Sequence, residues 1–280
     1  MTHAPPPDLA GLLAARYADA PTDVAPDLDT QTLRDMAGRG SCRHFEARPV
    51  PPRTLEVLCA VALAAPSKSD LQQRDIVLLH SAAQRRALCD LVPTQGWIAD
   101  APMIAVFCGN NRRQRLVHEW AGLPFANDHL DAFFNASVDA GIALGAFVTA
   151  AEAAGLGCCP ISAVRNAPEA VSTLLELPDH VFPVAGLAIG FPAAQAPISK
   201  RLPLGMTCHP NRYSETDVRS QVAAYDQARA QDGSYPTQRL SAQFGRADSY
   251  GWSDDKARQY SQPERADFGA FVRARGFRLD

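Results

Sequence analysis

The residues best suited to chemistry lie in the segment RGSCRHFEARPVP, residues 39–51, where three arginines and a histidine surround one serine. Arg39, Ser41 and Arg43 occupy alternate positions, and in an extended chain alternate side chains point to the same side. They would offer two guanidinium groups and a hydroxyl to a single phosphate. A solvated surface patch of arginines accounts for the same residues, so the cluster on its own leaves both interpretations open.

Three distant segments have polar residues where predicted elements begin or end. The segment APSKSDLQ, residues 65–72, closes a predicted helix, Gln95 precedes a predicted strand, and Lys200 and Arg201 follow the last predicted strand. Their order along the chain favours the phosphate interpretation of the arginine cluster over the surface patch.

The elements that must position these segments follow from hydrophobic patterning. Short apolar runs predict buried strands at 74–80, 102–108 and 180–192. Helical patterns occupy 29–39, 51–66, 81–92, 129–154, 167–177, 218–231 and 265–280. Residues 158–166 and 232–251 are predicted loops, and Gly155 is predicted to end the long helix in the left-handed conformation.

These elements predict the α+β class, with a sheet covered by helices on both faces. We expect residues 1–28 to form a flexible extension rich in proline and alanine. Residues 29–280 are expected to form a single domain with a C-terminal excursion from about residue 204.

Composition excludes several classes of protein. With 27 Lys and Arg against 30 Asp and Glu, the net charge of −3 argues against nucleic acid or an acidic membrane as the main partner. The seven cysteines are scattered and have no metal-ligand spacing, which favours a reducing cytoplasm and no metal site. No basic region precedes an apolar stretch near the N-terminus, so we expect no secretory signal.

Three further motifs are interpreted as structural, and a fourth, the hydrolase signature, is missing. The apolar stretch 132–157 is interrupted by Asn135, Asp139 and Glu152, which predicts a buried helix and not a membrane span. The glycines of GLGCCP follow a helix, unlike those of a dinucleotide-binding fingerprint. The neighbouring Cys158 and Cys159 are expected to be buried thiols, and GxSxG, the hydrolase signature, is absent.

Taken together, the segments around Arg39, 65–72, Gln95 and Arg201 resemble the nitroreductase family of FMN-dependent oxidoreductases. The resemblance covers about residues 30–280, because the terminal pattern beginning YGWSD resembles a subgroup of larger, NADPH-preferring nitro and flavin reductases. It implies the nitroreductase-like fold, with a mixed, mainly antiparallel central sheet and an intertwined homodimer whose core includes the long apolar helix.

The resemblance also assigns the cofactor site. It implies that Arg39, Ser41, Arg43 and Arg201 bind the FMN phosphate, and that Gln95 reaches the ribityl or pyrimidine side. Ser67 and its neighbours would approach the flavin from the partner subunit, and residues 160–163 would lie along the isoalloxazine. The full implied set is Arg39, Gly40, Ser41, Cys42, Arg43, Ser67, Lys68, Ser69, Gln95, Pro160, Ile161, Ser162, Ala163, Lys200 and Arg201.

Some residues depart from the family pattern. Gly40 replaces a commoner arginine, Asp70 a commoner asparagine, and Ser162 and Ala163 replace glycines. These differences affect the shape of the pocket over the flavin and therefore the substrate. An Asp70 carboxylate close to the flavin would disfavour the anionic hydroquinone; the alternatives are that it faces solvent, which we favour, or that it pairs with Lys68.

The implied function is a cytoplasmic, homodimeric reductase of nitroaromatics, quinones or similar electron-poor compounds. It would use FMN and NAD(P)H, with a preference for NADPH, in a ping-pong mechanism without a catalytic side chain of its own. Arg239 and Arg246 are candidates for the NADPH 2′-phosphate, or belong to a solvated loop. Two alternatives remain: an FMN enzyme that dehydrogenates, dehalogenates or uses oxygen, and a non-catalytic binding or regulatory dimer.

Overall fold

The computed structural model describes residues 7–92, 96–233 and 235–280. Within these residues the chain forms four strands: β1 (Arg74–Leu79), β2 (Met103–Asn110), β3 (Gly157–Ile161) and β4 (Val181–Gly190). The helices, in chain order, are α1 (Leu9–Arg16), α2 (Gln31–Gly38), α3 (Pro52–Leu63), α4 (Ala82–Leu91), α5 (Arg112–Ala121), α6 (Leu130–Ala153), α7 (Pro168–Leu174), α8 (Leu204–Thr207), α9 (Val218–Ala230), α10 (Ser241–Phe244), α11 (Trp252–Gln259) and α12 (Phe268–Ala274).

The chain divides into two compact units, whereas the sequence predicted one domain after residue 28. The first, which we call the terminal unit, comprises Met1–Arg39 and Pro197–Glu264. The second, the sheet unit, comprises Gly40–Ala196 and Arg265–Asp280. The division after Arg39 falls within the basic segment and could not be located from composition.

One sheet with the strand order β1-β2-β4-β3 forms the centre of the sheet unit, and its neighbouring strands pair antiparallel throughout the described chain. Every residue of β2 is buried, because one face packs on α3 and α6 and the other on α4 and α7. The predictions of the α+β class and of helices on both faces are confirmed, and so is the mainly antiparallel sheet that the family resemblance implies, although no parallel pair occurs among the described strands.

Strand β3 corrects the prediction of a loop over residues 158–166. This strand pairs with β4 at the edge of the sheet, from Gly157 opposite Gly190 to Ile161 opposite Gly186. It contains Pro160, which cannot donate a ladder hydrogen bond and is tolerated at a sheet edge. A five-residue run with two cysteines and a proline carried too weak a strand pattern to be identified.

Helix α6 agrees with its prediction in both extent and ending. It covers Leu130–Ala153, and Gly155 follows in the left-handed conformation with φ of +79°. Its buried face includes the fully buried Asp139 and Phe147. Within the described residues α6 is the one helix whose length and composition would suffice to cross a membrane, but its buried face packs on the sheet.

The terminal unit begins with a helix that the sequence analysis did not predict. Asp8 caps α1 by accepting a hydrogen bond from the Gly11 backbone at 2.8 Å, and Leu9 and Leu12 are buried against Ala37 of α2. Helix α2 starts after Thr30, whose hydroxyl accepts a hydrogen bond from the Leu33 backbone at 3.4 Å. Part of the segment expected to be flexible is therefore packed structure.

Candidate functional site

The terminal unit contains a pocket that we call the basic pocket, because Arg16, Arg39 and Arg201 contribute to its lining. Its volume is about 460 Å³. The remaining lining is mostly apolar and consists of Leu9, Leu13, Tyr17, Leu33, Met36 and Ala37. Two of the predicted phosphate ligands, Arg39 and Arg201, thus reach the same pocket although they are far apart in the chain.

Arg16, which the sequence analysis did not single out, connects the segments that carry these two arginines. Its side chain is 6% exposed and donates hydrogen bonds to the carbonyls of Ala37, Arg39 and Ser199. The carbonyl of Arg16 accepts from the Arg201 backbone at 2.7 Å. The carbonyls at the end of α2 have no partner inside the helix, so a guanidinium group there satisfies them.

Lys200 and Arg201 are neighbours with different surroundings. The Arg201 side chain is exposed and donates to the hydroxyl of Ser199 at 3.1 Å. The ammonium group of Lys200 donates to Asp232 at 2.9 Å and to the Ala228 carbonyl at 2.8 Å, at the C-terminal end of α9. Of the two, Arg201 lines the basic pocket, and Lys200 anchors its segment to α9.

Asp19 fixes the chain just beyond Arg201. Its carboxylate accepts hydrogen bonds from the backbone of Leu204 at 2.8 Å and of Gly205 at 2.9 Å, at the start of α8. Burial raises the pKa of Asp19, but these two hydrogen bonds outweigh it and hold the pKa below its ordinary value. The carboxylate is therefore ionised at neutral pH and keeps this segment in place.

The predicted alternation of Ser41 and Arg43 is present in the sheet unit. Cys42 is buried between them, and its backbone donates to the carbonyl of Cys158 at 3.0 Å. Arg43 is exposed, with its guanidinium carbon 5.7 Å from the centre of the Trp97 ring. Because Cys42 points into the protein, the side chains on either side of it point away from the core.

Gly157 permits the close approach of this segment to β3. A Cβ atom added at Gly157 would lie 2.6 Å from the sulfur of Cys42, so no larger residue fits without displacement. Burial raises the pKa of the Cys42 thiol, which remains protonated at neutral pH. Cys42 therefore acts as a small buried side chain that holds the basic segment against the sheet.

The segment after α3 forms a strained loop. Ser69, Asp70 and Gln72 have positive φ values of 50°, 56° and 51°, which cost free energy for residues with side chains. The loop is held by Asp139 of α6, whose fully buried carboxylate accepts from the backbone of Lys68 at 3.1 Å and of Gln73 at 2.9 Å.

Asp139 also lies 3.7 Å from the guanidinium group of Arg74, which is 3% exposed. Arg74 donates in turn to the carbonyls of Leu63 and Ala65, both at 2.8 Å, at the end of α3. A buried charge pair of this kind positions the loop between α3 and β1. In the sequence, Asp139 is visible only as an interruption of the apolar helix.

Asp70 is exposed, as the sequence analysis favoured. Its carboxylate accepts from the side-chain amide of Gln72 at 3.1 Å, and the hydroxyl of Ser67 accepts from the Gln72 backbone at 3.2 Å. One loop therefore contains the predicted residues Ser67, Lys68 and Ser69. The buried carboxylate of Asp139 stabilises its conformation through the backbone of Lys68 and Gln73.

Residues 160–163 alternate in exposure at the end of β3. Pro160 and Ser162 are exposed, and Ile161 and Ala163 are buried. Arg265, which the sequence analysis missed, donates to Asn166 at 2.8 Å and reaches the hydroxyl of Ser162 at 3.4 Å. A guanidinium group therefore lies beside the loop predicted to face the flavin.

The other predicted residues are less informative. Gln95 lies outside the described residues. Of the two candidates for the NADPH 2′-phosphate, Arg239 pairs with the buried Asp255 at 2.9 Å, and Arg246 is exposed.

Comparison with known proteins gives the same family by independent routes. The family model described as "Nitroreductase family" matches residues 36–191, and the model of its C-terminal domain matches residues 199–280. An "FMN reductase [NAD(P)H]" of Bacillus subtilis is 29% identical over 255 residues, which cover 89% of this chain and 99% of that protein. An "Oxygen-insensitive NADPH nitroreductase" of Salmonella typhimurium is 34% identical over 200 residues, covering 71% of this chain and 81% of that protein.

Comparison with solved structures gives the same family. The structure of B. megaterium NfrA2 superposes with a TM-score of 0.81 at 28% identity, covering 90% of this chain and 99% of that one. The NfrA1 nitroreductase of B. subtilis gives a TM-score of 0.80 at 27% identity, covering 88% of this chain and 99% of that one.

Proposed function

Since the chain belongs to the nitroreductase family, we propose that it reduces nitroaromatics, quinones or similar electron-poor compounds by a ping-pong mechanism. The broader class is an FMN-dependent oxidoreductase that uses NAD(P)H, as for the relatives named FMN reductase and NADPH nitroreductase. The observation that carries the proposal is the basic pocket, to which Arg39 and Arg201 both contribute.

The donor set fits FMN. Guanidinium groups are the side chains best matched to a phosphate dianion, and the terminal unit brings Arg39 and Arg201 to one pocket. For the sheet unit taken by itself, we propose that Ser41 and Arg43, which flank the buried Cys42, are also FMN-binding residues. We propose supporting roles for three neighbours. Gly40 and Cys42 would fix the backbone beside Arg39 and Arg43, and Lys200 would fix the backbone beside Arg201.

The loop Ser67–Asp70 and residues 160–163 are proposed to adjoin the flavin ring. When bound, FMN supplies the redox chemistry by taking up hydride from the nicotinamide and passing electrons to the acceptor. Asp139 keeps the first loop in its strained conformation. Arg265 holds the second through Ser162 and Asn166, and Gln95 remains part of the proposed set.

A second copy of the chain is the proposed partner. Helix α6 exposes Phe134, Val138 and Ile142, and the neighbouring α3 exposes Val57 and Val61, with Phe134 59% exposed and Val61 54% exposed. Exposed apolar residues grouped on two neighbouring helices are typical of an interface. We therefore propose a cytoplasmic homodimer that covers this surface, which we call the α3/α6 face.

Two-substrate kinetics test the proposal. The FMN-loaded enzyme is assayed at several concentrations of NADPH against a nitroaromatic, a quinone and free FMN, and again with NADH. Parallel double-reciprocal lines and a higher kcat/KM with NADPH are expected. Lines that converge would contradict the ping-pong mechanism.

Two other outcomes would favour other functions. Slow NADPH oxidation with every acceptor would point to dehydrogenation, dehalogenation or oxygen-dependent chemistry. Full-length protein that takes up no FMN would point to a non-catalytic dimer.

A further inference from the structure

We propose that Arg16 is a positioning residue for FMN phosphate binding: it holds the two backbone segments that carry Arg39 and Arg201 in the arrangement that binds the phosphate. This inference rests on the proposed function and names a residue that neither family match includes. The matches cover 36–191 and 199–280, whereas Arg16 lies in α1, ahead of both.

The hydrogen bonds of Arg16 reach both segments at once. Its guanidinium group donates to the carbonyls of Ala37 and Arg39, which end α2, and to the carbonyl of Ser199 at 3.3 Å. Its own carbonyl accepts from the Arg201 backbone at 2.7 Å. Arg16 therefore fixes the backbone at Arg39 through one hydrogen bond. It fixes the backbone near Arg201 through two, one to the carbonyl of Ser199 and one from the N–H of Arg201.

This role requires arginine. Three carbonyls in two segments are satisfied by separate nitrogen atoms of one planar group, and a lysine ammonium is a single point that cannot span them. The side chain is almost entirely buried, so its orientation is determined by these carbonyls and by the packing of α1 on α2.

Preorganisation explains why the arrangement matters for binding. Arg16, Arg39 and Arg201 all line one pocket and carry like charges, which repel each other, and the segments of Arg39 and Arg201 belong to different parts of the chain. If these segments were free to separate, the phosphate would have to bring them together at the expense of affinity. Arg16 removes that cost before the ligand arrives.

The test compares FMN with riboflavin, which has the same ring and ribityl chain without the phosphate. Full-length apoprotein is titrated with each flavin, and the loss of flavin fluorescence gives both dissociation constants. For Arg16→Gln we expect FMN affinity to fall at least tenfold while riboflavin affinity stays within twofold of wild type. For Arg16→Lys we expect nearly the same loss, because charge without the three hydrogen bonds does not position the segments.

Arg34→Gln is the matched control. Arg34 is another arginine of the terminal unit, pairs with Asp29 and does not line the basic pocket, so any loss that its substitution causes should be the same for FMN and riboflavin. Should Arg16→Gln not fold, Arg16→Lys is measured in the same way.

The outcomes separate this inference from the proposed function. Wild-type protein that binds FMN no better than riboflavin, or binds neither, would contradict the phosphate site itself. Wild-type protein that prefers FMN, with Arg16 variants that keep this preference or lose both flavins equally, would overturn the role of Arg16 and leave the phosphate site standing.

Discussion

At the scale of single residues, charge-assisted hydrogen bonds to a phosphate determine how tightly the cofactor is held. Removing one guanidinium contact by Arg43→Ala or Arg201→Ala should cost about 1.5–3 kcal/mol. This corresponds to an FMN dissociation constant raised about 10- to 150-fold, measured by fluorescence titration. Arg53→Ala is the control, since Arg53 is exposed and pairs with Glu56 on the same helix; unchanged FMN affinity in both test variants would refute the phosphate assignment.

Some residues of the candidate site could be predicted because their types and their positions in the sequence are themselves typical of a phosphate site. Arg39, Ser41 and Arg43 alternate in the sequence, and Arg201 follows a strand, so the sequence identified them as candidates. Arg16 could not be found in this way, because its role depends on backbone carbonyls of other segments, those of Ala37 and Arg39 and that of Ser199, which is 183 residues distant. Backbone carbonyls have no sequence signature.

At the scale of elements, helix α6 and the loop after α3 depend on one buried carboxylate. Asp139→Asn removes the charge that faces Arg74 and weakens the hydrogen bonds to Lys68 and Gln73. Breaking a buried pair of this kind typically costs about 3–5 kcal/mol, and we expect a loss of that size in urea unfolding, with weaker FMN retention. Asp131→Asn is the control, because Asp131 is exposed on the same helix.

If Asp139→Asn were no more destabilising than Asp131→Asn, Asp139 would not hold the loop. The chain order of loop and helix was evident from the sequence. Their connection was not, since Asp139 and Lys68 are distant in the chain.

Strand β3 depends on a glycine in a similar way. Gly157→Ala would place a Cβ atom 2.6 Å from the Cys42 sulfur, and such overpacking typically costs about 1–3 kcal/mol. We expect lower thermal stability together with weaker FMN binding, because the segment of Ser41 and Arg43 must move away from β3. Gly269→Ala serves as the control, where the nearest atom is the end of the flexible Arg273 side chain at 3.5 Å.

An effect of Gly157→Ala on stability alone would show that the basic segment is not positioned by β3. The loop prediction for 158–166 was wrong because strand patterns depend on alternation and length, and β3 has only five residues. Pairing with β4, which the sequence does not reveal locally, supplies the rest of its stability.

At the scale of the whole molecule, hydrophobic patterning was sufficient to predict the α+β class, three of the four described strands and the long helix. The two-unit division was not predictable, because Arg39 and Pro197 carry no linker composition that would separate them from their neighbours. Helix α1 was not predictable either. Its buried leucines lie in a segment rich in proline and alanine, a composition that indicates a flexible extension.

Dimerisation is the property of the whole molecule that the α3/α6 face predicts. Ile142→Asp would place an unpaired charge in this apolar face, and burying such a charge is costly. We expect dimerisation to weaken at least about 100-fold, measured by light scattering after gel filtration, with loss of bound FMN. Leu28→Asp is the control, because Leu28 is an exposed apolar residue of the terminal unit; a stable Ile142→Asp dimer would contradict this interface.

The visible absorption spectrum of the purified protein, recorded before and after NADPH is added without oxygen, shows whether the chain is an FMN-dependent NAD(P)H oxidoreductase. We expect a bound-flavin spectrum that bleaches with one equivalent of NADPH and returns when a nitroaromatic or a quinone is added. A flavin spectrum that NADPH and NADH both leave unchanged, or protein that acquires no flavin spectrum when FMN is supplied, would contradict it.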